Sequence, residues 1–398
     1  METVILGNGG AATSAVRAFV SQKRAAKLTI VSKEKTLPYS PVALPHFIEG
    51  RISSRQMYLL SGEFYAAHGI KLVQGKSVAG VIAREQEVLL DDGSRLNYDK
   101  LLVSTGSSPR LPNIKGIRAK GVFTLGSLRQ AKAIKKNLKS KAVIIGAGPI
   151  GIGLATVLRK MGLEVSLVEI LPQVLGRLVD AETSAGVVDI LTKHGVHVYL
   201  NRQVTEICGD PVAGVKLEGQ GIEVDTVIVA VGVKPNTEFI NERDVKLGDS
   251  GGIVVNEHMR SSHKNIYAAG DCAEARNILI GRTITNAIWP NAVEQGKVAA
   301  LNIMGQEAEF GGSMVINSLN IFGVPLASIG QVSGDKISQN VRGSIQKFTV
   351  EDGMVVGAQM TPGIESGGRV AAMIRAGSLE EKNVASGYAG FLVEALPR

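Results

Sequence analysis

Residues Lys141–Glu169, KAVIIGAGPIGIGLATVLRKMGLEVSLVE, decide the fold. The apolar run Ala142–Ile145, short and bare of polar groups, reads as a strand buried on both faces. Gly146-Ala-Gly148-Pro149-Ile150-Gly151 follows, a G-x-G-x-x-G. Ile152–Met161 reads as a helix, and Leu163–Val168 as a second strand ending on Glu169. Strand, glycine turn, helix, strand and acid together mark a dinucleotide site, where the glycines alone would not. The glycines allow a tight turn, close approach of a pyrophosphate and close helix–strand packing, and the helix N-terminus offers free N–H groups to phosphate. Glu169 stands 18 residues after Gly151, where a carboxylate accepts both hydroxyls of an adenosine ribose. Ile170 and Leu171 follow it, and no Arg stands there for a 2′-phosphate, so NAD(H) is expected rather than NADP(H). The flanking Val231-Gly232 closes a later strand, Glu223–Val231, which breaks at glycine.

The same grammar occurs at the N-terminus. ETVILGNGGAA, residues 2–12, is a strand followed by Gly7-x-Gly9-Gly10-Ala11-Ala12, and a helix is expected from about Thr13 to Ser21. Alanine in the third place still allows close packing. The second strand, Lys27–Ser32, ends without its acid. Ser32 stands there, Lys33 follows, and Glu34 is the candidate for the first ribose. The late strand Lys100–Ser104 runs into Thr105-Gly106, as Glu223–Val231 runs into Gly232. The chain therefore reads as an internal duplication of a nucleotide-binding module with two dinucleotides, of which the usual pair is FAD and a nicotinamide.

Composition bounds the rest. A chain of 398 residues has room for two or three domains, and 44% hydrophobic with 20% charged residues suits a globular α/β protein. The longest apolar stretches fall short of a membrane span. Met1-Glu2 leads straight into a strand, so no signal peptide is expected and a cytoplasmic protein is. Cys208 and Cys272 are the two cysteines. They suit a reducing compartment and cannot by themselves ligate an iron–sulfur cluster. No metal site is expected, because His194 and His197 read as a helix end entering a strand. Net charge is +8. The cluster Lys132, Lys135, Lys136, Lys139 and Lys141, its first four members at helical spacing, reads as a solvated helix face, with docking of an acidic protein as the alternative. With 4% aromatic residues and no recognisable module, nucleic acid is discounted.

Between the fingerprints lie a two-proline loop (35–44), a partly helical stretch (46–68), strands at 70–73 and 77–82, and a hairpin turning at Asp91-Asp92-Gly93. Beyond the second fingerprint, Asn265-Ile-Tyr-Ala-Ala-Gly270-Asp271-Cys272 is a strand meeting Gly-Asp, ahead of a helix from about Trp289 to Asn302. Asp271 is an acceptor suited to a ribityl hydroxyl, or else an ordinary turn or N-cap aspartate. Residues 309–398 carry Val/Ile runs and Gly-rich turns, with little helix before Gly368, and read as a small α+β domain.

Gly7-x-Gly9, Thr105-Gly106, GAGPIG, Val231-Gly232-x-x-Pro235 and AAGDCAE occur in this order over residues 1–305. The set resembles the FAD/NAD-dependent oxidoreductases with two dinucleotide-binding domains, the group of NADH oxidases, coenzyme A disulfide reductases, rubredoxin reductases and the large subunit of assimilatory nitrite reductase. The resemblance implies an α/β fold of two Rossmann-like three-layer domains. An FAD domain (1–110 and 249–308) is interrupted by an NAD domain (111–248), and a C-terminal α+β interface domain (309–398) follows. It implies an FAD site of Gly7, Gly9, Gly10, Ala11, Ala12, Ser32, Lys33, Glu34, Pro41, Val78, Thr105, Gly106, Arg110, Gly270, Asp271, Trp289 and Ala292. The NAD site would comprise Gly146, Gly148, Pro149, Ile150, Gly151, Glu169, Val231 and Gly232. Asp271 would hold the ribityl chain, and the 289–302 helix would aim its N-terminus at the pyrimidine edge of the flavin. Trp289 would shield the flavin or simply start the helix as a core aromatic.

The departures from the pattern narrow the chemistry. Where related disulfide reductases and NADH oxidases carry a redox cysteine in a C-G-x-P-Y-like stretch, this chain reads Ser40-Pro41-Val42-Ala43-Leu44-Pro45-His46. Val42 can form no thiolate. No histidine follows His263, and the usual Glu after the second fingerprint is Gly153. YSPVALPHFIEG and ITNAIWPNAVEQGKVAALNIMG are similar to the short FAD subunits of NAD-linked multicomponent enzymes, such as tungsten aldehyde oxidoreductases or phenylglyoxylate dehydrogenases. This implies electron exchange between NAD(H) and an iron–sulfur partner protein or subunit, in a heteromeric complex or homodimer. His46 falls near the reactive edge of the flavin, as a proton donor to N5 or as half-buried structure. A stand-alone NADH oxidase using oxygen, and a redox-sensing NADH-binding flavoprotein, are the alternatives.

Overall fold

The computed structural model describes residues 1–22, 27–341 and 344–385. They form two compact units. Met1–Ala43, Ser53–Ser108 and Val233–Ser313 make the first, and Leu44–Ile52, Pro109–Gly232 and Met314 onward make the second.

The first unit is built on a five-stranded parallel sheet. Its order is Ile266–Ala268, Lys100–Val103, Glu2–Leu6, Lys27–Ser32, Lys71–Gln74. The short apolar runs become strands because both faces are covered: Val4, Ile5, Leu6, Leu101, Leu102 and Val103 are all buried. The Gly10–Ser21 and Trp289–Ile303 helices pack on each other with almost no clearance. A Cβ on Gly296 would lie 2.1 Å from the carbonyl oxygen of Ala11. A satellite antiparallel sheet, Val78–Ile82, Glu87–Leu90 and Arg95–Asn97, turns at the expected Asp91-Asp92-Gly93, where Gly93 takes φ +82°.

The second unit repeats the plan. Its parallel sheet runs Val196–Tyr199, Glu164–Val168, Lys141–Ile145, Thr226–Val229, Val122–Thr124. In both sheets the fingerprint strand lies between the strand that follows it and the late strand that ends at glycine. Only the outermost place beside the late strand is filled differently, by a strand from after the repeat in one unit and from before it in the other.

Three details differ from the sequence-based expectation. Both fingerprint helices start earlier, at Gly10 and Pro149, because the glycine turn itself forms the first helical turn. The expected strand Glu223–Val231 is two pieces. Gln220–Glu223 joins a small antiparallel sheet, and Thr226–Val229 joins the parallel one. Asp225 stands between them, its carboxylate accepting from the N–H groups of Ser140 and Lys141 at 3.0 Å each, which fixes where the second piece begins. The lysine helix is Leu128–Asn137, so Lys132, Lys135 and Lys136 are helical and Lys139 lies beyond its end, after Leu138 has turned extended.

A five-stranded antiparallel sheet completes the second unit: Ile316–Ile321, Val324–Gly330, Met354–Thr361, Ser344–Glu351, Asp335–Val341. The Gly367–Arg375 helix packs on it through Val370 and Ile374. The chain from Ile316 is thus sheet followed by helix, and positions 386–398 lie outside the described residues. No helix among the described residues is long and apolar enough to cross a membrane.

Candidate functional site

The first glycine of each fingerprint turns the chain against the end of the neighbouring late strand. Gly7 has φ +102°, and a Cβ there would sit 2.1 Å from the Ser104 carbonyl oxygen. Gly146 has φ +104° and the same encounter, at 2.5 Å, with the Ala230 oxygen. Only glycine fits either place. The hydrogen bonds correspond too. Gly7 N–H donates to Val31 O and Gly146 N–H to Val168 O, both at 2.8 Å. Ser104 N–H donates to Leu6 O and Ala230 N–H to Ile145 O, again both at 2.8 Å. Each fingerprint lies at the carboxyl ends of parallel strands where the strand order reverses, the place where open α/β sheets bind ligands.

The second glycines face open space. A Cβ on Gly9 or Gly148 would meet nothing within 4 Å. Each caps its helix with no side-chain acceptor for the first-turn N–H groups. Unfilled room beside unsatisfied donors suits a pyrophosphate. In the third place the two copies differ. A Cβ on Gly151 would lie 1.9 Å from Gly146 O, whereas the first copy accommodates the fully buried Ala12.

Around the first fingerprint, the structure adds partners that sequence reasoning missed. Asn8 Oδ1 accepts from the Tyr65 hydroxyl at 2.9 Å, while its Nδ2 is buried without a partner, a donor left for a ligand. Burial pushes the Tyr65 phenol up to about 12, so it is a fixed donor at neutral pH. Glu34, half-buried, accepts from the Tyr39 hydroxyl on both carboxylate oxygens, at 2.9 and 3.0 Å. Ser32, which ends the strand where an acid was looked for, is buried, and Lys33 is exposed. Asp271 accepts from the Ser107 hydroxyl at 2.7 Å, and burial raises its carboxyl above the ordinary range despite that bond. Gly270, φ +81°, lies against Ala11 and Ala292 and donates its N–H to Gln295 Oε1 at 2.8 Å. The Trp289 ring covers Gly10, where a Cβ would come within 2.8 Å of it. Thr105-Gly106 is stitched to Asn236. Thr105 Oγ1 donates to Asn236 O at 2.7 Å, Asn236 N–H to Gly106 O at 2.9 Å, and Asn236 Nδ2 to Thr105 O at 2.9 Å. Val78 begins the satellite sheet, half-buried, and Pro41 opens a short 3₁₀ turn at the surface.

In the second unit Glu169 is already oriented. Its Oε2 accepts from Ala147 N–H at 2.7 Å and its Oε1 from Leu171 N–H at 3.0 Å. Ile150 within the fingerprint, Ile170 and Leu171 after Glu169, and Val231 before Gly232 are exposed apolar side chains, 39 to 61% accessible. Gly232, φ +102°, accepts from Arg110 N–H at 2.9 Å. Arg110, assigned to the FAD set from the sequence, thus belongs to the second unit with a residue of the NAD set.

Val42 stands where the resemblance implies a redox thiol. Val42 is 66% exposed. Cys272 is fully buried, donates from Sγ to Val103 O and Ala269 O, and has its thiol pushed up by burial, as expected of an inert cysteine. The His46 side chain is half exposed, 3.7 Å from the Glu49 carboxylate, on a short Leu44–Glu49 helix packed against Leu128–Asn137 and Pro149–Lys160. Among the described residues no group of three His, Cys, Asp or Glu could hold a metal.

Comparison with known proteins gives this geometry its family. Residues 1–296 match the pyridine nucleotide-disulphide oxidoreductase family. The chain belongs to that family. It is an NAD(P)H-dependent oxidoreductase, and its cofactors are FAD and NAD(P)H. An NADH oxidase of Methanocaldococcus jannaschii is 32% identical, over 94% of this chain and 90% of the relative. The epsilon subunit of an NADH-dependent phenylglyoxylate dehydrogenase of Aromatoleum evansii is 30% identical, over 82% of this chain and 78% of the relative. An NADH-rubredoxin oxidoreductase of Clostridium acetobutylicum is 32% identical, over 89% and 86%. The family membership and both cofactors agree with the sequence-based expectation.

Proposed function

We propose that this oxidoreductase passes electrons between NADH and an iron–sulfur protein or subunit through its flavin, without a thiol relay. The observation that carries this reading is Val42: an exposed valine where disulfide-reducing relatives place the redox cysteine, in a chain whose cysteines are only Cys208 and Cys272. The likeness to an NADH-rubredoxin oxidoreductase supports an iron–sulfur acceptor, and the likeness to a dehydrogenase subunit supports a multisubunit setting. Flavin and nicotinamide, when bound, supply the hydride and electron chemistry.

The residues supply position. Gly9 and the Gly10–Ser21 helix N-terminus hold the FAD pyrophosphate, Glu34 under Tyr39 takes its ribose, and Asp271 beside Ser107 takes a ribityl hydroxyl. Gly148 and the Pro149–Lys160 helix do the same for NADH, with Glu169 on the ribose and Ile170 and Leu171 as apolar contact. Glu169, a second negative charge beside a 2′-phosphate, favours NADH over NADPH. Segments 1–110 and 249–308 are assigned to FAD, 111–248 to NAD, and 309–398 to an interface role. His46, open to solvent beside Glu49, is the candidate for proton exchange. Two free cysteines suit the reducing cytoplasm.

The test is an anaerobic NADH titration followed at the flavin band, then air, then a panel of one-electron acceptors. Rapid bleaching, slow reaction with oxygen and fast turnover with oxidised iron–sulfur proteins of suitable reduction potential are expected. Rapid reoxidation in air would instead support a stand-alone NADH oxidase, the reading favoured by the likeness to the Methanocaldococcus protein. Absence of bleaching would overturn the nicotinamide site.

A further inference from the structure

One face of the C-terminal sheet carries buried polar groups that neither cofactor site uses. Lys347 pairs across the sheet with Gln359, and Gln359 with Ser328, so the three side chains share a face. All three are buried. Each engages the stretch just before the Ala181–Lys193 helix. Lys347 Nζ lies 3.3 Å from both carboxylate oxygens of Asp180 and 2.8 Å from Glu182 Oε2. Gln359 Oε1 accepts from Asp180 N–H at 2.9 Å, and Ser328 Oγ donates to Leu178 O. Lys336 adds a second ammonium at 3.1 Å from Asp180 Oδ2. At the other end of that helix the His194 ring stacks on Phe322, from the tip of the sheet's first hairpin, at 4.1 Å and 5° between planes. The sheet holds both ends of one helix of the NAD segment.

What this helix follows gives the contact a consequence. Leu178–Asp180 closes the loop that opens at Glu169. Within it, Leu178 N–H and Val179 N–H donate to Leu175 O at 2.7 and 3.1 Å. Leu175 is held at φ +53°, unusual for a non-glycine residue, and its N–H donates to Ala147 O at 2.9 Å. Ala147 is the middle residue of Gly146-Ala-Gly148, and its own N–H is the 2.7 Å donor to Glu169. Three links therefore join the buried ammonium to the fingerprint, and a fourth, from Ala147 N–H, reaches the ribose carboxylate.

We propose that Lys347 is a positioning residue for the nicotinamide dinucleotide: by holding Asp180 it fixes the 170–180 loop, and through Leu175 and Ala147 the orientation of Glu169. The C-terminal sheet then sets the dinucleotide affinity of the segment it packs on. Without the buried ammonium, Asp180 keeps the more exposed Lys336 and the Thr183 N–H as partners for its carboxylate, so its tie to the interior of the sheet weakens and the loop is freer to leave Ala147. The inference rests on the assignment of Glu169 to the NADH ribose.

The experiment measures NAD⁺ affinity by equilibrium titration of the holoprotein, with FAD content and amide exchange at Leu175 followed alongside. Lys347→Met is expected to weaken NAD⁺ binding about five- to tenfold, to speed exchange at Leu175, and to leave FAD content unchanged, with Lys347→Arg restoring most of the affinity. In a Glu169→Ala background, Lys347→Met should cost almost nothing further. Unchanged affinity, or losses that simply add, would overturn the proposal. Should Lys347→Met fail to fold, Ser328→Ala and Gln359→Leu are judged by the same affinity, exchange and additivity criteria. If Glu169→Ala itself leaves affinity untouched, the ribose assignment fails; if it weakens binding and Lys347→Met does not, only the positioning role fails.

Discussion

Glu169 is held by two backbone N–H groups before any ribose arrives, which leaves its remaining lone pairs aimed outward at the end of a buried strand. A carboxylate fixed in this way binds a diol without first losing side-chain freedom. Glu169→Ala is predicted to weaken NADH binding by about 2 kcal/mol, the worth of charge-assisted hydrogen bonds, and to narrow the preference for NADH over NADPH. Steady-state kcat/KM with both nucleotides checks this, and an unchanged ratio would mean that another residue reads the ribose. Glu34 shows the same device with a different source of order. No backbone strand end presents it, so the Tyr39 hydroxyl does. Tyr39 lies five residues on, in a loop between prolines, where the sequence offered no reason to single it out.

At the scale of elements, each fingerprint is a strand, a glycine turn and a helix that can approach only as closely as its third residue permits. In the second copy the approach is complete, since Gly151 leaves no room for a Cβ beside Gly146 O. Gly151→Trp is predicted to abolish flavin reduction by NADH while leaving the FAD content at its normal ratio, because Gly151 belongs to the other unit from the first fingerprint. Stopped-flow reduction and the flavin-to-protein absorbance ratio measure the two effects separately, and retained reduction would remove the helix from the NADH site. The two fingerprints, their succession of strand, glycine turn, helix and strand, and the breaking of each late strand at glycine were legible because these signals are local: apolar runs, glycines and an acid within about 30 residues. The split of Glu223–Val231 was not legible. A run of β-formers reads as one strand, and only the Ser140 and Lys141 donors meeting Asp225 divide it.

For the whole molecule, the Asp180 cluster makes stability depend on acid. Burial alone would raise the Asp180 carboxyl, but the Thr183 backbone and hydroxyl, Lys336 and Lys347 together outweigh it and hold the carboxyl well below the usual carboxylate range. A depressed folded-state value means that the stabilisation is complete above the unfolded value of about 3.9 and is lost as pH falls below it. As pH falls below about 4, the unfolded reference value, the melting temperature is therefore expected to drop less steeply in Asp180→Asn than in the natural chain. Equal slopes in the two proteins would show that Asp180 does not contribute.

The sequence by itself determined the duplicated dinucleotide module, the family and the absence of a cysteine at position 42, because backbone geometry at glycine and the periodicity of buried strands are written in neighbouring residues. Tertiary structure alone decided the partners of the polar groups. Ser107 meets Asp271 across 164 positions, Thr105 meets Asn236 across 131, and Lys347 meets Asp180 across 167. A lysine in a strand of the C-terminal sheet looks like a surface residue until the register of five strands turns it inward, and a carboxylate from another part of the chain makes that burial stable.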